Sequence, residues 1–230
     1  MWHKKETIKL SVEENINRIK NNISEDVTLI AVSKTKPVEV IEEAYGIGIR
    51  DFGENKVQEL VDKYDKLPKD IRWHLIGHLQ RNKVKYIVGK VHLIHSLDSI
   101  KLLDEIEKQY KASDATAYAL IQINIGKEES KTGIYLENLE ELLQACEACN
   151  HVKIRGLMAI VPQGSKESCK EYFKQMKNIF NDIKKRKFNN IVMEVLSMGM
   201  TEDYEEAVEE GSNMVRVGSG IFGKRNYNNK

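Results

Sequence analysis

Residues 27–46 read VTLIAVSKTKPVEVIEEAYG. The opening run is apolar and rich in β-branched residues, the pattern of a buried strand. PVEVIEEAYG then takes up helical spacing. A strand that feeds directly into a helix is the unit of a parallel sheet covered by helices. Lys34 sits where the strand ends. Burying an ammonium without a partner is expensive, so a lysine here suggests an amine of depressed pKa, poised to form a Schiff base. The alternative is a lysine that snorkels from the strand end into water.

The same unit recurs along the chain. Further strands are expected in GIRDFGE (48–54), RWHLIGH (72–78), VHLIHSLD (91–98), AYALIQINI (117–125), KIRGLMAI (153–160), IVMEVLSMGM (191–200) and NMVRVGSG (213–220). Helical patterns lie between most of them, among them NKVQELVDKYDKL, SIKLLDEIEKQYK and SCKEYFKQMKNIFNDIKKR. An extra helix, VEENINRIKNNI, precedes the first strand with Ser11 as its N-cap. Eight strands in one unbroken α/β chain favour a (β/α)8 TIM-type barrel, a single domain over 1–230, above a doubly wound open sheet.

Composition narrows the function. Hydrophobic residues make up 41% and charged residues 31% of 230, ordinary for a globular protein, and the net charge of +1 gives no bulk attraction to nucleic acid or anionic membrane. No apolar run approaches the length that spans a bilayer, and the polar start MWHKKETIKLS is no secretory signal. Three cysteines make no disulfide framework, so a cytoplasmic location is expected.

A barrel makes a functional prediction, because polar residues at the C-terminal ends of its strands share one mouth. Those ends carry Lys34 and Lys36, Asn55, His78, Ser96, Asn124, Met158, Ser197 with Gly199, and Arg216 with Gly218 and Ser219. If the first strand stays regular, both lysines point the same way. LSMGMTEDYEEAVEEG and VRVGSGIFG each place a glycine turn after a strand, where backbone N–H groups can converge on an anion. Thr201 is a candidate cap for the helix that follows. The plainer reading is that the glycines only make tight turns; the pairing of the seventh and eighth loops favours phosphate. Arg216 cannot shed its charge. If it points inward it needs a carboxylate, a phosphate or a ring nitrogen, and the alternative to a ligand is a salt bridge within the barrel. Lysine, arginine and an anion site together fit pyridoxal 5'-phosphate.

The whole pattern resembles the pyridoxal phosphate homeostasis (PLP-binding) protein family. The segments that carry the resemblance are AVSKTKP (31–37), DFGENKVQE (51–59), WHLIGHLQRNK (73–83), IHSLDS (94–99), INIGKEESKTG (123–133), RGLMAI (155–160) and LSMGMTEDYEEAVEEGSNMVRVGSGIFG (196–223). The resemblance implies the barrel of alanine racemase without its second domain. It implies that Lys34 bears the cofactor, that Ser197, Gly199, Gly218 and Ser219 contact the phosphate, and that Arg216 stands near the pyridine nitrogen. Asn55, Ser96 and Met158 match positions lining the pocket, and Lys36 matches a second lysine that helps cofactor transfer. Gly220 departs from the family's GTAIFG pattern; Ser219 keeps the hydroxyl.

Racemisation needs bases on both faces of the substrate carbon. In the related racemases one base is a tyrosine of the separate domain, and this sequence stops soon after the eighth strand, so that domain is expected to be absent. An arginine at the pyridine nitrogen also disfavours ring protonation and weakens the electron sink. The expected function is therefore a non-enzymatic, monomeric carrier or buffer of pyridoxal 5'-phosphate, serving vitamin B6 and amino-acid homeostasis, with PLP-requiring apoenzymes as transient recipients. The rivals are a PLP-dependent racemase that uses a tyrosine, a histidine or Lys36 as second base, and a sugar- or nucleotide-phosphate barrel enzyme.

Two other signals point to structure. Cys146 and Cys149 form a CxxC, but Leu139, Leu142, Leu143 and Cys146 make a helical apolar stripe and no second CxxC exists. His74 and His78 are four apart on a strand and loop rather than on a zincin helix. His74 is expected in the interior, and His78 to border the pocket.

Overall fold

The structure is a computed structural model and describes residues 10–223. Eight parallel strands close into a barrel in chain order. They are β1 (Thr28–Val32), β2 (Asp51–Glu54), β3 (Arg72–Leu75), β4 (Leu93–Leu97), β5 (Ala117–Ile123), β6 (Val152–Ala159), β7 (Ile191–Ser197) and β8 (Met214–Val217). Closure is made by β1 against β8, with Leu29 opposite Val215 and Ala31 opposite Val217. The helices are α1 (Val12–Asn21), α2 (Val38–Gly46), α3 (Val57–Lys66), α4 (Ile100–Ala112), α5 (Leu139–Glu147), α6 (Lys166–Lys184), α7 (Tyr204–Glu209) and α8 (Ser219–Phe222). Between β3 and β4, where the sequence has no long helical pattern, the chain makes a short 3-10 helix, Arg81–Tyr86. Among the described residues no helix is long and apolar enough to cross a membrane.

Ser11 caps α1 as the sequence predicts. Its hydroxyl accepts from the Glu14 N–H while the Glu14 carboxylate accepts from the Ser11 N–H, a reciprocal capping box. This added helix supports the mouth of the barrel. Asn15 donates to the Ile221 carbonyl in α8, and Asn22 donates to Tyr204 and Glu205 in α7.

The barrel has two cores. Between strands and helices lies a continuous apolar layer that includes Phe52, Trp73, Leu142 and Phe173. Inside lies a much smaller apolar plug of Ile30, Val32, Leu93, Leu120, Met158 and Met214. Each fully buried side chain of this kind contributes about 1.5–3 kcal/mol, so the outer layer carries most of the hydrophobic stability. The interior can therefore hold polar groups, and it does.

The strands end earlier than their sequence patterns suggest. The first stops at Val32, and Thr35 takes a left-handed backbone with φ of 65°. Strand alternation therefore does not govern Lys34 and Lys36. A turn places them instead.

Candidate functional site

A cavity of about 510 Å3 opens at the C-terminal end of the barrel. Lys34, Lys36, Asn55, Arg216, Gly218 and Ser219 all line it. These six come from three different strand ends, β1, β2 and β8.

The Lys34 turn is fixed from below by buried charge. Glu54, the last residue of β2, is fully buried, and its Oε1 accepts from Ser33 Oγ at 2.6 Å and from Lys63 Nζ at 2.7 Å. Lys63 also donates to the Ser33 carbonyl at 2.9 Å and to Glu59 Oε1 at 2.7 Å, and Glu59 accepts from the Thr35 N–H. Both neighbours of Lys34 are thus held by one cluster. Burial pushes the Glu54 carboxyl above its ordinary range, against the pull of Lys63 and Ser33. Lys36 ties this turn to the neighbouring β8 loop by donating to the Phe222 carbonyl at 2.9 Å.

Arg216 forms the floor. It is buried on β8 and donates to Ser197 Oγ at 2.6 Å and to the Ala159 carbonyl at 2.9 Å. Among the described residues no carboxylate is within ion-pair distance of it. Burial pulls its pKa down to about 10, and the more distant charge of Asp203 acts the other way. It stays charged at neutral pH, with only neutral acceptors.

The β7 and β8 loops are tied to each other. Gly199 has φ of 94°, and an added Cβ would lie 2.6 Å from the Cβ of Ala207. Only glycine satisfies both the left-handed backbone and that approach to α7. Its carbonyl accepts from the Arg216 N–H at 3.0 Å. Thr201 does not cap α7. Its hydroxyl accepts from the Gly220 N–H and from Ser219 Oγ, both at 3.2 Å, while Asp203 occupies the N-cap position. A Cβ on Gly220 would stand 2.9 Å from Val217 Cγ1 and 3.1 Å from Thr201 Cγ2, so glycine at this position leaves room for both side chains.

The remaining expected residues sit elsewhere. Ser197 is buried beneath the cavity as a partner of Arg216, and Met158 belongs to the interior plug. Ser96 is fully buried with a hydroxyl that has no hydrogen-bond partner among the described residues. His78 lines a separate cavity, where its Nδ1 lies 3.4 Å from Asp98. The sequence reading missed the wall formed by Ile160–Gly164 and Lys166 at the start of α6. It also missed the Glu54–Lys63–Glu59 cluster. Cys146 packs into the outer core as expected, and burial raises its pKa and that of Cys149, the latter to about 11, so neither is a thiolate at neutral pH.

The family described as alanine racemase, N-terminal domain, matches residues 10–226. A protein of Aquifex aeolicus named pyridoxal phosphate homeostasis protein is 44% identical over 201 residues, covering 86% of this chain and 87% of that one. This chain belongs to the pyridoxal phosphate homeostasis protein family. A member from Escherichia coli K12 is 38% identical over 95% of this chain and 99% of its own. Among solved structures, PipY of Synechococcus elongatus with PLP bound superposes with a TM-score of 0.85 at 33% identity, covering 93% of this chain and 100% of PipY. An alanine racemase of Clostridium difficile, at 15% identity and a TM-score of 0.73, shares the barrel fold.

The cavity suits the cofactor bound in PipY on its own terms. The buried guanidinium calls for an anion or a ring acceptor. Asn55, lining the cavity, has a buried amide oxygen that lacks a partner among the described residues. Of the N–H groups that follow Gly218 at the cavity wall, that of Gly220 is taken by Thr201 and those of Ile221 and Phe222 by the Gly218 carbonyl.

Proposed function

We propose that this protein binds pyridoxal 5'-phosphate reversibly on Lys34 and acts as a non-enzymatic carrier or buffer in vitamin B6 and amino-acid homeostasis. When bound, the cofactor supplies an aldehyde that condenses reversibly with a primary amine, the Schiff base that suits both holding and release. One observation carries the reading: a buried arginine with only neutral acceptors lies on the floor of a cavity that Lys34 also lines. The chain's groups divide the work. Lys34 holds the aldehyde carbon, the Gly218–Ser219 turn meets the phosphate, and Arg216 donates to the ring nitrogen. Asn55 contacts the ring, and Lys36 joins the β1 and β8 loops at the exit.

Holding rather than turnover is supported by the lining. The racemase alternative needs a tyrosine, a histidine or Lys36 as second base. No tyrosine or histidine occurs among the described lining residues, and the Lys36 amine already donates to Phe222. A donating arginine at the ring nitrogen keeps that nitrogen unprotonated, which opposes carbanion chemistry. The protein is further proposed to be monomeric and cytoplasmic, and to hand the cofactor to PLP-requiring apoenzymes.

The test is to mix the purified protein with pyridoxal 5'-phosphate, reduce with borohydride and map the labelled peptide. Label on Lys34, lost in Lys34→Ala, is the expected result. No uptake, or label only elsewhere, defeats the reading. Rapid exchange of substrate Cα hydrogen in deuterated water, abolished by Lys34→Ala, would instead show an enzyme.

A further inference from the structure

Below Arg216 a file of polar side chains runs down the barrel interior. Arg216 donates to Ser197 Oγ, which lies 3.2 Å from His95 Nδ1. His95 Nε2 lies 3.0 Å from His74 Nδ1, and His74 Nε2 lies 3.0 Å from Asp51 Oδ1. Asp51 opens β2 at the far end of the barrel and accepts from Arg72 Nε at 2.8 Å, and the Arg72 side chain is half exposed. The file therefore links the cavity floor to solvent at the opposite face. His95, Ser197, His74 and Asp51 are all buried.

Donor and acceptor rules give this file a direction. The hydrogen bonds from His74 and Arg72 hold Asp51 ionised, with its pKa lowered to about 2 against the penalty of burial. An ionised carboxylate only accepts, so His74 Nε2 carries a proton. If His74 is neutral its Nδ1 accepts, and His95 Nε2 must donate. A neutral His95 then accepts at Nδ1, and Ser197 donates to it. Burial lowers the pKa of His95 well below its ordinary value, and the charges of His74, Arg216 and His92 add to the effect. One proton added to the file reverses the two bonds between His74, His95 and Ser197: the Nε2 proton of His95 passes to His74 Nδ1, His95 takes up the added proton at Nδ1, and His74 Nε2 goes on donating to Asp51. His95 then donates from Nδ1, and Ser197 accepts from His95 and Arg216 together. The heavy atoms need not move.

We propose that Asp51, His74, His95 and Ser197 form a reversible hydrogen-bond relay that couples protonation of the histidine pair to the ligand-facing guanidinium of Arg216. His95 and His74 are positioning residues, since they act on the ligand through Ser197 and Arg216. The charged and titratable groups that act on the histidine pair are Asp51, His92 and Arg216, with Arg72 acting in turn on Asp51 and His92, and Arg155 on His92. Reversal adds one positive charge beneath an anionic ligand. Linkage requires that the ligand in turn favour the reversed, protonated state.

The inference rests on the cofactor reading, and the experiment separates the two. Nitrogen NMR of the imidazole rings reports which ring atom carries the proton, and is followed against pH in the ligand-free protein. It is repeated in the borohydride-fixed PLP complex, where the ionisation of Lys34 no longer controls occupancy. Both rings are expected to exchange tautomers at one common pH, and the bound ligand to raise that pH by about one unit, a tenfold gain in proton affinity. His95→Leu removes the ligand sensitivity at His74. His95→Gln keeps it, because an amide both accepts and donates. Rings that titrate independently, or an unmoved midpoint in the fixed complex, overturn the relay. If the protein takes up no PLP, the cofactor reading fails, and common or independent exchange in the ligand-free protein still decides the relay.

Discussion

Lys63 and Arg216 are both cations buried in the upper half of the barrel, and the protein treats them in opposite ways. Lys63 sits between two carboxylates, Glu54 and Glu59, each 2.7 Å from its ammonium. Arg216 has a serine hydroxyl and a backbone carbonyl. The first is an internally closed ion pair whose product is geometry: it holds Ser33 and Thr35, and so presents Lys34. The second is a charge left open toward the cavity. Burial of a cation alone does not mark a binding site. The partner set does, because a charge that the fold leaves uncompensated must be answered by something from outside.

The largest expected effect breaks the closed side of this comparison. Lys63→Ala leaves Glu54 buried beside Glu59 with no counter-ion, and loss of one partner from a buried pair costs about 3–5 kcal/mol. Urea unfolding should show that loss. Adding Glu54→Gln should recover part of it, because the buried carboxylate is removed with its partner. A Lys63→Ala protein of native stability would mean that the cluster does not hold the turn.

The open side should behave differently. Arg216→Gln strands no carboxylate, so stability should change by about 1 kcal/mol or less, the cost of imperfect partners for Ser197 and Ala159. Binding should suffer instead. Hydrogen bonds to charged groups contribute about 1.5–3 kcal/mol, so the PLP dissociation constant should rise roughly ten- to hundredfold in an absorbance titration. A variant that unfolds readily while retaining affinity would make Arg216 a structural group like Lys63.

This contrast also explains what could be read from the sequence. Local signals located the strands, and the barrel rule placed their polar ends at one mouth. Lys34, Asn55, Arg216 and Gly218 could therefore be named before any coordinates. Partner sets are long-range. Lys63 meets Ser33 thirty residues away, and His95 meets Ser197 across 102 positions. No periodicity encodes such pairs, so nothing in the helical pattern around Lys63 singles it out, and His74 reads as an ordinary interior residue. Thr201 illustrates the same limit. Local rules assign it to the helix that follows, but β8 lies alongside β7 and brings Gly220 within reach of its hydroxyl. His78 follows a strand pattern, yet the chain turns after Leu75 and carries it to the neighbouring cavity.

The effect most confined in pH concerns the bottom of the relay, where charge is again internally paired. The Asp51 carboxyl falls from an ordinary 3.8 to about 2 on folding, because bonds from His74 and Arg72 outweigh its desolvation. A carboxyl with a depressed folded pKa contributes stability that is present above its unfolded pKa and lost as pH falls through the folded one. One pKa unit corresponds to about 1.4 kcal/mol, so the contribution is on the order of 2 kcal/mol at neutral pH. Asp51→Asn should lower stability by that amount above about pH 4. The gap between variant and native protein should then narrow as pH falls toward 2, where the native carboxyl is itself protonated. Paired urea titrations across this range measure the gap. A gap that stays constant would assign the loss to packing around the asparagine, and Asp51 would then lack the ionised, accepting role that sets the direction of the relay.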